Sequence, residues 1–264
     1  TGLRKLELIT LDLSTSSCAA LNAVFPRMAA LRQLDLCGNS IDHNCVEVLV
    51  NGLVNCKHLH GLNLSRNLIG YRGLEMLVRG LPASVDTLDI SFNEITLARQ
   101  LPLLRFEKLN LGGNALSLGG NVLSLFGPRV IAASLANPEC RLKELRLGIN
   151  RGDEGAAILA ESLRNNQRLT KLCLTGNITE TGWNEFSSVL CNPASINATY
   201  GSNHKLQSLG GGIFEPCTSQ NVLMMLQLNC CQDKSRIAAT KILQTHRHLD
   251  MKPFFDRKLV LLPH

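Results

Sequence analysis

The sequence predicts an α/β solenoid, curved like a horseshoe, with parallel strands on the concave face and helices on the convex face. Three observations support this prediction. A leucine-rich phrase recurs along the chain, its copies follow one another at a nearly constant step, and an apolar stripe with helical spacing follows several copies. A fixed period of about 28 residues is typical of repeat architectures, in which each unit packs only against its neighbours.

The strand of each unit is marked by the phrase LxxLxLxxN. Its copies are Leu31–Asn39, Leu59–Asn67, Val85–Asn93, Phe106–Asn114, Leu142–Asn150 and Leu169–Asn177, with a weaker copy at Leu3–Leu8 that lacks the asparagine. The alternating leucines are expected to point inward from a short strand. Each asparagine stands where the chain turns, and its amide can satisfy backbone groups that would otherwise be buried unpaired. We therefore predict structural roles for Asn39, Asn67, Asn93, Asn114, Asn150 and Asn177.

The copies keep their phase although two steps are irregular. Successive asparagines lie 28, 26, 21, 36 and 27 residues apart, and the short step and the long step together match two regular ones. Two degraded copies, Leu206–Leu209 and Leu223–Leu228, extend the pattern, so that eight steps averaging 27.5 residues lead from Leu3 to Leu223. We therefore predict a repeat array of about nine units over residues 1–230, irregular at 93–141 and 191–222.

The second half of a unit is predicted to be a helix. Val46, Leu49, Val50 and Leu53 are spaced i, i+3, i+4 and i+7, which places them in one apolar stripe. The spacing recurs in Leu74–Leu81 and in Ala156–Leu163. Gly73, Gly155 and Gly182 stand near the starts of three of these helices.

Three stretches depart from the regular unit. The unit after Asn93 is too short for a full helix and the next is too long, with Val122–Leu135 broken by Gly127 and Pro128. This is either repeat drift or a bulge that shapes a binding surface. Cys191–Gly212 is predicted to be a loop, because its glycine run lacks the lysine and hydroxyl residue of a phosphate-binding loop. Residues 231–264 are predicted to be a helical cap and tail covering the apolar end of the array, with a partner-binding tail as the alternative.

Composition and charge exclude several classes of function. The net charge of +6 is spread along the chain and aromatic residues make up 4%, so we expect no nucleic-acid partner, which would call for a basic stripe with stacking platforms. No apolar run reaches the roughly 20 residues of a membrane span. The ten cysteines form no CxxC pair, and their spacing is unlike a secreted disulfide framework. We therefore expect an intracellular, reducing compartment, cytoplasmic or nuclear. The sequence opens without an initiator methionine or a signal peptide, so a targeting segment could be missing.

Motifs for chemistry are absent from the sequence. No nucleophile elbow, HExxH or dinucleotide-binding fingerprint occurs. Cys217, Cys230, Cys231, His246 and His248 could be imagined as zinc ligands, but they lack the paired short spacing of zinc sites. We therefore expect no catalytic residues, no metal, no cofactor and no small-molecule substrate.

Over residues 1–230, the phrase and the unit length resemble the ribonuclease-inhibitor-like subfamily of leucine-rich repeat proteins. The stretch from Asn229 to Pro263, a helix followed by a short tail ending near Leu-Pro, also resembles a group of algal leucine-rich repeat proteins. The resemblance implies recognition of a protein partner through the concave face and the adjoining loops.

The best candidates for partner contact are the outward strand positions. They are Asp35, Asn63, Asp89, Lys108, Asn110, Glu144, Arg146 and Lys171, with Lys5, Glu7 and Gln33 before them. We predict that Lys108, Arg146 and Lys171 form a short basic track, and that the concave surface grades from acidic to basic along the chain. Two other functions remain open: a GTPase-activating regulator of a small GTPase, and the sensor half of a longer immune-type receptor.

Overall fold

A computed structural model describes residues 2–95, 105–114, 126–148, 152–174, 177–210, 217, 219–231 and 233–247. Within these ranges, eight strands form one parallel sheet in which sequence order is also spatial order. The strands are β1 (Lys5–Glu7), β2 (Gln33–Asp35), β3 (Gly61–Asn63), β4 (Thr87–Asp89), β5 (Lys108–Leu111), β6 (Glu144–Leu147), β7 (Lys171–Leu174) and β8 (Ser208–Leu209). The fold is thus the predicted α/β leucine-rich repeat solenoid.

The helices alternate with the strands, and α1 to α3 pack side by side, as do α4 to α6, with α8 packed against α6. They are α1 (Thr15–Val24), α2 (His43–Leu53), α3 (Tyr71–Gly80), α4 (Phe126–Ala136), α5 (Gly152–Ser162), α6 (Glu180–Leu190), α7 (Ile196–Tyr200), α8 (Gln220–Asn229) and α9 (Lys234–Thr245), with a short 3-10 turn at Phe25–Arg27. Gly73 leaves room for the buried side chain just before α3, because a β-carbon there would lie 2.7 Å from Cγ2 of Ile69.

One continuous core lies between the sheet and the helices. The middle leucine of each strand pairs in register with that of the next strand, as Leu62 does with Leu34 and Leu88. These leucines are buried from β2 to β8, and Trp183 and Phe186 enlarge the core at α6. The register is fixed because a slip by one residue would turn every leucine to the opposite face.

Buried asparagines link each unit to the next at the turn after the strand. The Nδ2 group of Asn67 donates to the carbonyls of Leu36 and Leu64, both at 3.0 Å, and its Oδ1 accepts from the amide of Ile41 at 3.1 Å. Asn39, Asn93 and Asn114 are also buried and bridge adjacent units in the same way. One amide therefore satisfies backbone groups of two successive turns.

Asn177 departs from this arrangement, because it is exposed. The residue at the matching phrase position of the next unit is Phe214, so the following unit supplies no amide to continue the series. The amide and hydroxyl of Thr179, two residues later, donate instead to the carboxylate of Asp153, at 2.8 and 2.6 Å. Asn150 lies outside the described residues.

The predicted ninth strand is wrong. Leu223–Leu228 belongs to α8, a helix that the side chain of Ser219 caps at its N-terminus and whose buried residues include Val222 and Leu226. The buried face of α8 is formed by Val222, Leu226 and Asn229, at the spacings of four and three residues expected of a helix, whereas Leu223 is exposed. Here α8 is the convex helix that follows β8. The long step before β8 has its own cause, since the extra helix α7 is inserted between α6 and β8.

A second asparagine series occupies the turns from helix to strand, and the sequence analysis missed it. Asn203 donates to the carbonyl of Leu163 at 2.9 Å and accepts from the amide of Leu206 at 3.0 Å. Asn166 and Asn229 are buried in the same role. These side chains tie each helix end to the neighbouring unit.

The series ends at Asn229, whose Oδ1 accepts from Lys241 of α9 rather than from the amides of a following strand. The ammonium of Lys241 is fully buried and donates to Oδ1 of Asn229 at 2.7 Å, to the carbonyl of Leu190 at 2.6 Å and toward Nδ1 of His204 at 3.2 Å. Burial lowers the pKa of Lys241 to about 8. Burial, and then the charge of Lys241, also lowers the pKa of His204.

Several sequence predictions concern residues outside the described ranges. They are the helical reading of 122–125, the glycines at 211 and 212, and the tail from 248 onward. The helix of the C-terminal segment is described, as α9, and it packs against α7 and α8.

Candidate protein-binding surface

The outward side chains of the strands form two rows on the concave face, here called the wall. The first row is Lys5, Gln33, Gly61, Thr87, Lys108, Glu144, Lys171 and Ser208, and the second is Glu7, Asp35, Asn63, Asp89, Asn110, Arg146 and Cys173. Neighbouring members of a row stand about 5 Å apart, the strand spacing of a sheet. The strands thus bring all eight proposed contact residues onto one continuous surface.

Four of these residues also shape the ends of their own strands. Oδ1 of Asp35 accepts from the amide of Cys37 at 2.9 Å, and Asn63, Asp89 and Asn110 make the matching bond two residues on. Asparagine and aspartate favour such local turns. They are also tied across strands, because Asn63 donates to Asp35 at 3.0 Å and Asn110 donates to Asp89 at 2.8 Å.

The predicted basic track does not form as stated. Register places Glu144 between Lys108 and Lys171 in the first row, and its Oε1 lies 3.1 Å and 3.5 Å from the two ammonium groups. Partial burial opposes ionisation of Glu144, but bonding to both lysines outweighs it and lowers the pKa of the carboxyl. Arg146 lies in the second row, opposite Asn110 and Cys173. An acidic residue therefore interrupts the lysines.

The wall is nevertheless divided by charge. From β1 to β4 its rows hold Lys5, Glu7, Asp35 and Asp89. Lys5 pairs with Glu7 at 2.6 Å, and neither aspartate makes an ion pair with a described cation of the wall. From β5 to β7 the rows hold three cations and Glu144. A hollow of about 320 Å³, bordered by Asp89, Lys108, Glu144 and Arg146, lies across this change of sign.

One feature of the adjoining loops was missed in the sequence. The residue before each buried asparagine at the strand ends has a left-handed backbone, with φ of +70° at Gly38, +55° at Arg66, +53° at Phe92 and +69° at Gly113. Glycine adopts this conformation freely, whereas a bulky side chain there is a genuine outlier. Phe92 is 54% exposed and the guanidinium carbon of Arg66 lies 4.7 Å from the centre of its ring. The left-handed backbone, and not the residue type, distinguishes Arg66 and Phe92 from other exposed residues of the loops.

Reactive groups are not gathered in the described part of the chain. Within it, no three His, Cys, Asp or Glu residues are placed to hold a metal ion. All ten cysteines are free. Burial raises the pKa of the Cys18 thiol to about 12, and it also raises the pKa values of Cys56, Cys140, Cys173 and Cys217. These five thiols are therefore poorly suited to act as nucleophiles. No described helix has the length and apolar character needed to cross a membrane.

The recurring phrase, the unit of one strand and one helix, and the parallel sheet define a leucine-rich repeat solenoid. No protein-family model matches the chain. Among curated proteins, Tsukushi of Gallus gallus is 30% identical over 120 residues, a match that covers 44% of this chain and 31% of Tsukushi. The chain therefore spans about a third of the length of this relative.

Solved structures with some likeness include three proteins of low sequence identity. The Arabidopsis receptor kinase HAESA, in complex with the peptide hormone IDA and the co-receptor SERK1, matches with a TM-score of 0.37 and 18% identity over 80% of this chain and 34% of its own. The tropomodulin C-terminal domain of Caenorhabditis elegans matches with a TM-score of 0.34 and 13% identity, over 67% of this chain and 90% of its own. Leiomodin-1 actin-binding site 2 matches with a TM-score of 0.23 and 10% identity, over 97% of this chain and 87% of its own.

Proposed function

We propose that this chain is a noncatalytic protein-interaction module of the ribonuclease-inhibitor-like type. It binds a protein partner through the wall and the adjoining loops, in an intracellular, reducing compartment. The observation that carries the proposal is the wall itself, where polar outward side chains of seven successive strands form a continuous surface that changes sign at β4 and β5. The ten free cysteines support the compartment.

The charge division would orient the partner. Its basic groups would lie over Asp35 and Asp89, and its acidic groups over Lys108, Arg146 and Lys171. Complementary charge of this kind mainly raises the association rate and suppresses wrong partners, and salt screens it. Large aromatic anchors are absent from the two rows, so binding through the rows would rely on charge and shape.

The test is affinity capture from the native source with wild type, Lys108→Glu/Arg146→Glu and a control, Arg72→Glu/Arg79→Glu. The control makes the same change of charge at exposed positions of α3. We expect the wall variant to lose the partners that wild type and the control retain, with unchanged circular dichroism in all three. If the wall variant keeps every partner, the wall is not the binding surface.

A further inference from the structure

Two side chains on the loop edge of the wall occupy positions where the fold favours glycine. Arg66 and Phe92 immediately precede the buried Asn67 and Asn93, and the equivalent positions in neighbouring units hold Gly38 and Gly113. A β-carbon is disfavoured in a left-handed backbone. Strained residues of this kind persist where the surrounding structure holds them, and they cluster at functional sites.

Neither side chain serves the core. Both are exposed, and they form a stack that runs across three units. The guanidinium of Arg66 lies over the ring of Phe92. The ring itself lies against Gly113, where a β-carbon would stand 2.5 Å from Cδ1 of Phe92. Glycine at either position would relieve the backbone strain without opening a cavity in the core, because both side chains are exposed. The strain therefore accompanies an ordered feature of the surface and not a requirement of the core.

Within the stack, the guanidinium of Arg66 contacts the ring of Phe92 but no described anionic group. The backbone amide of Arg66 donates to the carbonyl of Ser91 at 2.9 Å, but among the described residues its guanidinium makes no hydrogen bond and no ion pair, including none with Glu94. The nearby carboxylate of Asp89, by contrast, accepts from the amide and hydroxyl of Ser91 and from Asn110. A planar guanidinium held over an aromatic ring is preorganised to bind a carboxylate through two parallel N–H bonds.

We propose that the Arg66–Phe92 stack is the anchor for the protein partner, and that it binds an aspartate or glutamate side chain of that partner. An apolar side chain next to this carboxylate would pack on Phe92 and on Leu68, which is 50% exposed and two residues beyond Arg66. This inference rests on the proposed function and deepens it. It adds a cationic and aromatic contact at the loop edge of β3 and β4, beside the aspartates of the wall.

The test uses a displayed library of random twelve-residue peptides as the probe, enriched on the wild-type protein. We expect the enriched peptides to contain Asp or Glu next to an apolar residue. Binding of the best peptides is then measured by fluorescence polarisation for Arg66→Gln, Arg66→Lys, Phe92→Asn and the control Thr10→Asn. Thr10 has the same left-handed backbone, at φ +54°, at the equivalent position two units before Arg66 and three units before Phe92.

Arg66→Gln and Phe92→Asn should each weaken peptide binding at least tenfold, Arg66→Lys should weaken it less, and Thr10→Asn should not change it. Asparagine tolerates the left-handed region, so the denaturation midpoint of Phe92→Asn should be no lower than that of the wild type. If Phe92 had a merely structural role, Phe92→Asn would instead lower both the peptide affinity and the denaturation midpoint. Peptides without acidic residues, peptides that bind Arg66→Gln as well as the wild type, or no enrichment at all would overturn the anchor. Peptides insensitive to Arg66→Gln but lost in Lys108→Glu/Arg146→Glu would overturn the anchor while leaving binding at the wall in place.

Discussion

Replacing Asn67 by alanine removes one link of the asparagine series and leaves the strand leucines in place. The side chain is buried and joins β2, β3 and the turn after β2, through the carbonyls of Leu36 and Leu64 and the amide of Ile41. The alanine methyl can make none of these bonds. Because Ile41 is itself fully buried, its amide would lose its partner in a place that water reaches poorly.

The size of the effect follows from these bonds. A hydrogen bond of this kind contributes about 1 kcal/mol net, and a buried group left unpaired costs about 1–3 kcal/mol. Two donor bonds and one acceptor bond therefore predict a loss of about 3 kcal/mol in the free energy of unfolding. At a urea dependence of about 3 kcal/mol per molar, the midpoint of unfolding should fall by about 1 M.

The assay is urea unfolding followed by circular dichroism, with Asn177→Ala as the matched control. Asn177 holds the same position in the phrase but is exposed, so its replacement should change the free energy of unfolding by less than about 0.5 kcal/mol. Equal midpoints for wild type and Asn67→Ala, or equal losses in the two variants, would refute the role assigned to the buried amides.

Three further predictions concern the thiols, the buried lysine and the glycine under Phe92. Alkylation of the native purified protein under denaturing, non-reducing conditions should add ten labels by mass spectrometry, and two or more disulfides would contradict a reducing compartment. Lys241 has a folded-state pKa of about 8 against the ordinary 10.5, so the unfolded chain binds more protons between these values. The free energy of unfolding of wild type relative to Lys241→Met should therefore rise by up to about 3 kcal/mol from pH 8 to pH 10.5, and a flat difference would argue against a buried ammonium. Gly113→Ala should cost about 1–2 kcal/mol from its positive φ and more from the contact with Phe92. Added to Phe92→Asn it should cost less than alone, and purely additive effects would contradict that contact.

The strands could be predicted from sequence because their signal is local and doubly determined. Each strand requires inward leucines two residues apart and an amide at a fixed distance beyond them, so position and register follow from the same nine residues. This is why β2 to β7 lie where the full phrase places them, while β1 lies where the leucines of Leu3–Leu8 place it without an asparagine. Leu223–Leu228 lacked the asparagine, and without it the leucines alone did not distinguish a strand from the helix α8.

The contacts of the wall could be predicted only in part. Alternation along a strand identified which side chains face outward, but the pairing of Lys108 and Lys171 with Glu144 depends on register across 27 and 36 residues. The residue types of Arg66 and Phe92 do not indicate a left-handed backbone, and the only signal in the sequence is the glycine at the equivalent position of neighbouring units, Gly38 and Gly113. The burial of Lys241 also has no signal in the sequence, since a lysine on an amphipathic helix is expected to be exposed.

The claim that a protein partner lies on the concave wall is tested most directly by site-specific photocrosslinking. A benzoyl-phenylalanine at Lys171, exposed on the wall, is compared with one at Leu243, exposed on α9. Both proteins are irradiated in an extract of the native source, and the crosslinked bands are identified by mass spectrometry. The account predicts a discrete protein adduct from position 171 and none from position 243. A discrete adduct from position 243 alone would contradict it.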